Sequence, residues 1–484
     1  VVVSNRVPAD ADNPGGLAVA LKDALSGRES LWFGWSGDIS ADTETVRTVT
    51  RGQAAFAVTD LTQEEHDGYY AGYSNRALWP AFHYRLDLSE FEESDFRAYM
   101  AVNARFARQI AELLRPDDII WIHDYHLIPL AEALRALGVT NAIGFFSHIP
   151  FPPPELFQAI PQHRELAAGL MACNLVGFQS RRDRANFERY MIEKANGIWM
   201  PDGRVGAFGS ISRAMAFPIA IEVDSFAETA RAGAQMDTAR RMMAAARGHA
   251  IILGVDRMDY SKGLPERLGA IGELFARHPE LCGHATLLQI APVSRGGVEA
   301  YAHLREEIEG LVGHINGEYA QIDWAPIHFM AQGLPREELA GLLRLARVGL
   351  VTPLRDGMNL VAKEYVAAQD PDDPGVLVLS EFAGAAEQLT GALIVNPHDM
   401  REQAESIRRA LEMDLTERRE RHAAMMEVLH QYDSAWWCAS FLDALEKSRE
   451  GGESDGLRTA FGGDGSGGGS GASMHSAAAG RLTA

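Results

Sequence analysis

Short apolar runs alternate with amphipathic helical stretches along almost the whole of this chain, and that alternation leaves few architectures open. Continuous apolar strands flanked by helices belong to parallel sheets covered on both faces. In the first half VVVSN, DDIIWIHDY, AIGFFSH and NLVGFQS read as buried strands, with helices expected over 16–25, 126–137, 154–160 and 180–191. In the second half AIILGVDR, ATLLQIAP, VGLVTP, GVLVLSEF and GALIVNP take that role, with helices expected over 264–277, 298–312, 336–346 and 360–369. No solenoid period interrupts the pattern. The expected fold is α/β, two doubly wound Rossmann-like domains facing across a cleft.

A chain of 484 residues exceeds one ordinary core. The segment RAMAFPIAIEVDSF carries Pro218 and places the domain switch near residue 220. The expected division is 1–219 for the N-terminal domain and 220–430 for the C-terminal one. Residues 431–447, aromatic and amphipathic, form a helix packing on the body, and the Gly/Ser-rich 448–484 form a disordered tail.

Composition excludes several functions. Hydrophobic residues are 46% and charged residues 23%, the mix of a folded chain, and no apolar run is long enough to span a bilayer. A net charge of −21 opposes nucleic acid and anionic membranes as partners. Cys173, Cys282 and Cys438 form no metal or CxxC spacing and read as free thiols, which fits a cytoplasmic protein. The chain opens on VVVSNR without a leader-like segment or an initiator Met, which implies residues ahead of Val1 in the native chain. Oligomeric state is left open, a homo-oligomer included.

Doubly wound domains bind ligands beyond the carboxyl ends of their strands, so polar residues just after strands are the candidates. VVVSN delivers Arg6, followed by Gly15-Gly16-Leu17 at a helix start, where main-chain N–H groups can approach a phosphate or a sugar. IIWIH is followed by Asp124, with His123 and His126 beside it; IGFFS is followed by His148. The histidines lack a zinc-like spacing, and no metal site is expected. The stretch DGYYAGYSNRALWPAFHYR offers aromatic faces for a pyranose, although such residues are more often core.

The second half is richer in cations. AIILGV is followed by Asp256-Arg257-Met258-Asp259-Tyr260-Ser261-Lys262-Gly263, and LLQIAP by Ser294-Arg295-Gly296. GLVTP leads into Leu354-Arg355-Asp356-Gly357-Met358-Asn359, directly before a helix whose N-terminus suits an anion. Cations at three successive strand ends of an acidic chain mark an anion site more than they mark solvated surface. No P-loop is present. The Asp370-Pro371-Asp372-Asp373 run, similar to a metal-holding Asp-x-Asp, reads as acidic surface loop.

VVVSNR, GGL, LWFGWSG, LWPAFHYR, IIWIHDYHLIPL, GFFSHIPFP, GFQS, DRMDYSKGLPER, QIAPVSRG and VTPLRDGMNLVAKEYVA together resemble the trehalose-6-phosphate synthases, glycosyltransferase family 20, from residue 1 to about residue 445. The resemblance implies a GT-B fold and a retaining transfer of glucose from a nucleotide-sugar, expected to be UDP-glucose, to glucose 6-phosphate, without metal or other cofactor. It implies that Arg6 and Arg295 clamp the acceptor phosphate, that Tyr70 and Trp79 line the acceptor sugar, and that Asp124 contacts it at the reacting end. His148 then lies beside the transferred glucose, Gly15 and Gly16 close over the donor, and Arg257 and Lys262 neutralise the departing diphosphate. Leu334 holds the base through its main chain, and Asp356, Gly357, Met358, Asn359, Leu360, Val361, Ala362, Lys363 and Glu364 wrap glucose and ribose. Asp124, His148, Arg257 and Lys262 are the expected catalytic set. The chain carries no phosphatase-like module, so a separate phosphatase is the expected pathway partner. A sister transferase using another phosphorylated acceptor such as glycerol 3-phosphate, and a non-catalytic sugar-phosphate sensor, are the alternatives.

Overall fold

The computed structural model describes residues 1–7, 29–246, 248–293 and 299–450. Two sheets organise them. The first holds β1 (Val2–Arg6), β2 (Ser30–Ile39), β3 (Arg47–Arg51), β4 (Ala54–Leu61), β5 (Ile120–His123), β6 (Ile143–Phe146), β7 (Leu175–Phe178), β8 (Ile198–Trp199), β9 (Val205–Ala207) and β10 (Ser210–Ala216). The second holds β11 (Ala250–Val255), β12 (Ala285–Ile290), β13 (Ile327–Met330), β14 (Val348–Val351), β15 (Val376–Ser380) and β16 (Leu393–Val395).

The first sheet runs β3-β4-β2-β1-β5-β6-β7-β10-β9-β8 and the second β13-β12-β11-β14-β15-β16. Every pairing in the second sheet is parallel. In the first, only the edge pairings of β3, β8 and β9 are antiparallel. The reason lies in the strands themselves: β5, β6, β7 and β14 are buried at every position, as strands covered by helices on both faces must be. Counted from β11 the second order is 3-2-1-4-5-6, which reverses between β11 and β14. The first sheet reverses between β1 and β5. The two reversals fix where loops splay apart to admit a ligand.

The expected helices recur with shifted ends. The one expected over 126–137 is a 3-10 turn, Tyr125–Leu127, followed by the helix Leu130–Ala136, because Pro129 has no N–H to continue a helix through it. The one expected over 298–312 is described as Glu299–Tyr319. The helix expected over 16–25 and nearly all of the tail, 451–484, lie outside the described residues.

The last helix of the described residues, Ser434–Glu450, returns to the first sheet. Trp437 lies 5.1 Å from the Trp121 ring, and Phe441 stacks on Trp121 at 4.6 Å and 12°. Gly144 and Gly177 make room for it: a Cβ on either would fall 2.8 or 2.7 Å from the Phe441 ring. The described residues thus start and finish on the same domain, and the second domain is a long excursion between Phe217 and this helix.

Candidate active site

Asp124 follows β5 with φ 76° and ψ 168°, a backbone conformation uncommon for a residue with a Cβ. The strain is held from both ends. Its N–H donates to the Phe146 carbonyl at 2.8 Å, and its Oδ1 accepts from the His148 N–H at 3.1 Å. The loops after β5 and β6 are thereby locked together. His123 Nδ1 and His148 Nε2 lie 3.0 Å apart. Burial pushes His148 down to about 3, and burial together with the neighbouring ring holds His123 well below the ordinary range. Both rings are neutral at neutral pH, so His148 brings a dipole and a carbonyl to the site rather than a cation.

The aromatic stretch forms a thirteen-residue π-helix, His66–Leu78, continued by the α-helical turn Trp79–Phe82. Such wide helical turns are rare and are frequently found at functional sites. Tyr70 stacks on His126 at 5.9 Å and 12° and tilts against Trp35 at 5.6 Å. Trp79 is buried against Tyr125, 5.7 Å away, and His83, 4.1 Å away. His83 Nδ1 lies 2.7 Å from the Trp79 carbonyl, and burial pushes this imidazole down to about 4 against the pull of Asp259. Arg6 is exposed, its guanidinium 5.9 Å from the Trp35 centroid and packed on Gly37.

The facing domain is built on charge. Behind the strand ends, fully buried Arg267 donates to Asp256 Oδ2 at 2.7 Å, Gln289 Oε1 at 3.1 Å and Thr352 Oγ1 at 3.0 Å. That one side chain ties the ends of β11, β12 and β14 together. In front of it, Lys262 Nζ donates to Asp356 Oδ2 at 2.5 Å, and Asn359 Nδ2 donates to the same oxygen at 3.2 Å. Burial pushes Asp356 up, but Lys262, helped by His83 and the Asn359 hydrogen bond, holds the carboxyl below its ordinary value. Asn359 Oδ1 accepts from the Ala362 N–H at 3.2 Å, capping the helix Leu360–Ala368.

The two sides touch. Arg257, exposed after β11, places its guanidinium 5.6 Å from the Trp79 centroid. Arg355 lies 4.0 Å over Tyr84 and 4.7 Å over Phe382. Gly357 approaches the His148 carbonyl so closely that a Cβ there would lie 2.2 Å from its oxygen. Only glycine permits that contact.

Not every expected side chain points at the cleft. Met358 and Ala362 are buried, and Leu360, Val361 and half-buried Leu334 pack against apolar neighbours, so these positions present main chain. Burial raises the Glu364 carboxyl, with Arg336 opposing. Lys363 Nζ donates to the Ile219 carbonyl and to Gln388 Oε1, both at 2.7 Å. Gly15, Gly16 and Arg295 lie outside the described residues. Within Asp370–Asp373, Asp370 pairs with Arg344 and Asp373 with Arg347 and Arg418. Among the described residues no cluster of three His, Cys, Asp or Glu side chains is arranged to hold a metal, and no helix is long and apolar enough to cross a membrane.

Sequence reasoning missed Gln179, Tyr84 and Arg267. Gln179 follows β7 in GFQS and obeys the same strand-end rule that singled out Asp124 and His148. Arg267 sits on the apolar face of the helix Leu264–Arg277, where a cation with no local partner signals a buried network.

Two doubly wound domains, touching across strand-end loops, define a GT-B glycosyltransferase. The chain belongs to glycosyltransferase family 20, whose model matches residues 4–447. The trehalose-6-phosphate synthase of Enterobacter sp. strain 638 is 47% identical over 93% of this chain and 95% of its own length. That of Sinorhizobium fredii is 45% identical over 93% and 98%. The UDP-forming alpha,alpha-trehalose-phosphate synthase of Burkholderia xenovorans, solved with glucose-6-phosphate, is 48% identical with a TM-score of 0.88, covering 92% of this chain and 99% of that one. An E. coli relative solved with UDP-2-fluoro glucose is 44% identical with a TM-score of 0.89, over 92% and 99%.

Proposed function

We propose that this enzyme transfers glucose from UDP-glucose to glucose 6-phosphate with retention, forming alpha,alpha-trehalose 6-phosphate for trehalose biosynthesis. The observation that carries the reading is the contact between the Asp124–His148 pair of loops and the Asp356–Asn359 loop, with Lys262 and Arg257 beside it. Relatives solved with glucose-6-phosphate and with a UDP-glucose analogue support both substrates.

In this reading 1–219 is the acceptor domain, 220–430 the donor domain, and 431–447 a helix closing the chain on the body. Arg6 and Arg295 take the acceptor phosphate; Tyr70, Trp79 and Asp124 position its sugar. Gly15, Gly16, the Leu334 main chain and the segment from Asp356 to Glu364 hold the donor. As the glycosidic bond breaks, negative charge moves onto the diphosphate, and groups that meet that charge act most strongly in the transition state. Lys262, Arg257 and the N-terminus of Leu360–Ala368 supply it, so the reaction needs no metal. Lys262 is held in place beforehand by Asp356, which spares reorganisation when the donor arrives. The neutral His148 ring and its carbonyl face the positive charge growing on the sugar. Attack comes from the face the diphosphate leaves, whose oxygen takes the acceptor proton. The enzyme works in the cytoplasm, and a separate phosphatase releases free trehalose.

Nucleotide release measured against a panel of donors and acceptors, with the product identified, tests this. Release with UDP-glucose and glucose 6-phosphate alone supports the reading. Preference for glycerol 3-phosphate, or binding of both sugars without turnover, sinks it.

A further inference from the structure

The crossover between the two domains is gripped at one residue from both sides. The Ile219 N–H donates to Gln179 Oε1 at 2.9 Å, and the Ile219 carbonyl accepts from Lys363 Nζ at 2.7 Å. Gln179 follows β7 in the first domain; Lys363 lies in the first turn of Leu360–Ala368 in the second. Lys363 is fully buried, and its other acceptor is the neutral Gln388 Oε1. Burying an amine among neutral oxygens is costly, and a surface cation would serve a solubility role without it. Here the lysine reaches from the donor-side helix to the hinge.

The grip extends to the reacting centre. Because Ile219 donates to Oε1, the Gln179 amide must turn its Nε2 toward His148 Nδ1, 3.4 Å away. With Nδ1 accepting, His148 carries its proton on Nε2 and donates it to His123 Nδ1 at 3.0 Å. The hinge peptide, set from the donor domain, thus dictates the tautomer of a ring in the acceptor domain. The same His148 meets Gly357 through its carbonyl, so domain closure and ring orientation are read at one residue.

We infer that Lys363 and Gln179 are positioning residues that clamp Ile219, so that closure of the domains sets the tautomer and orientation of His148. This rests on the reading of His148 as the neighbour of the transferred glucose. Lys363 then acts on the donor through the hinge, its amine bonded to Ile219 and Gln388 and not to the donor.

The test is the 15N ring shifts of His148 in histidine-labelled enzyme, together with kcat and KM, for wild type, Lys363→Met, Gln179→Leu and Gln179→Glu. Wild type should show the Nε2–H tautomer. Lys363→Met and Gln179→Leu should give a tautomer mixture and lower kcat about ten-fold, with KM for glucose 6-phosphate little changed, as expected for lost orientation of a reacting group. Gln179→Glu still accepts from Ile219 but cannot donate to His148, so the ring should switch to Nδ1–H. A folded Lys363→Met protein with wild-type His148 shifts overturns the inference. Should Lys363→Met fail to fold, retention of the Nε2–H form in Gln179→Glu overturns it instead. Failure of the functional reading looks different: the shifts respond, but the wild-type enzyme releases no nucleotide with glucose 6-phosphate.

Discussion

The two walls of the cleft are made from different materials. The wall from the first domain, proposed to face the acceptor sugar, is aromatic and, Arg6 apart, electrically quiet: a π-helix, stacked Tyr70 and His126, and imidazoles at 148 and 83 pushed down to about 3 and about 4 by burial. The wall from the second domain, proposed to face the donor, is ionic, with Lys262 on Asp356 in front and Arg267 on Asp256 behind. The difference follows from what each wall must face. A sugar presents hydroxyls and ring faces, whose positions are best fixed by rigid surfaces and neutral dipoles. A departing diphosphate presents charge that changes during the reaction, and only preorganised cations respond to it without solvent rearrangement. Substitutions on the donor wall should therefore fail through charge and those on the acceptor wall through placement.

The severest expected failure is behind the donor wall. Arg267→Met leaves Asp256 buried without its cation, and removing one partner of such a pair typically costs about 3–5 kcal/mol. Denaturant unfolding of the intact enzyme measures it. Asp256→Asn with Arg267→Met should recover part of the loss, because the uncompensated charge is gone. A single mutant within about 1 kcal/mol of wild type, the loss of an ordinary neutral hydrogen bond, would mean that the network is ornamental.

Next comes Lys262→Ala, which should lower kcat by one to three orders of magnitude, on the order of a lost transition-state donor. Turnover should meanwhile survive excess EDTA. Arginine at 262 sharpens the test, since a flat fork does not replace a compact ammonium. Activity abolished by EDTA and restored by magnesium would make the ionic wall an incomplete account of the diphosphate.

For the acceptor, Arg295→Ala in the second domain should weaken glucose 6-phosphate binding by about 1.5–3 kcal/mol, the scale of a charge-assisted contact, and spare the nucleotide. Binding titrations of each substrate separate the two. Loss of nucleotide affinity with acceptor affinity intact would reassign Arg295 from the acceptor phosphate to the donor.

How far this contrast could be read from sequence depends on what kind of signal each wall leaves. Strand ends are legible, because apolar runs stop abruptly and the residues after them stand out; that rule reached Arg6, Asp124, His148, Arg257 and Asp356. Loop geometry is not. Nothing in HDGYYAGYSNRAL distinguishes a π-helix from a turn-rich aromatic segment, since both use the same glycines and tyrosines. β2 and β13 were overlooked because LWFGWSG and IHFM mix polar, glycine and aromatic residues instead of presenting a clean apolar run. Partners distant in sequence leave no local trace at all. Lys363 reads as part of a donor-binding segment, and only the fold reveals that its amine is bonded to Ile219, 144 residues away.

That amine supplies the finest test of the contrast, because burial treats this donor-side cation as it treats the acceptor-side imidazoles. Burial pushes Lys363 down to about 7, from an ordinary value of 10.5. In the folded protein it therefore binds fewer protons than in the unfolded chain throughout the interval between those values. Stability must then rise with pH across that window and fall as pH drops toward 7, the opposite of a lysine held by a carboxylate. Between pH 7.5 and 8.5 the stability of wild type relative to Lys363→Met should grow by about 1 kcal/mol, somewhat under the 1.4 kcal/mol that one full proton per pH unit allows. Paired denaturant unfolding of the two proteins at those two pH values measures the difference, and changes common to both, from every other titrating group, cancel. A flat difference would show that Lys363 keeps its proton in the folded state, bonded as an ammonium to the Ile219 and Gln388 oxygens. Lys363 would then belong with Lys262 and Arg267 as part of the ionic wall, because the unfolded lysine is also fully protonated over that interval and no slope remains.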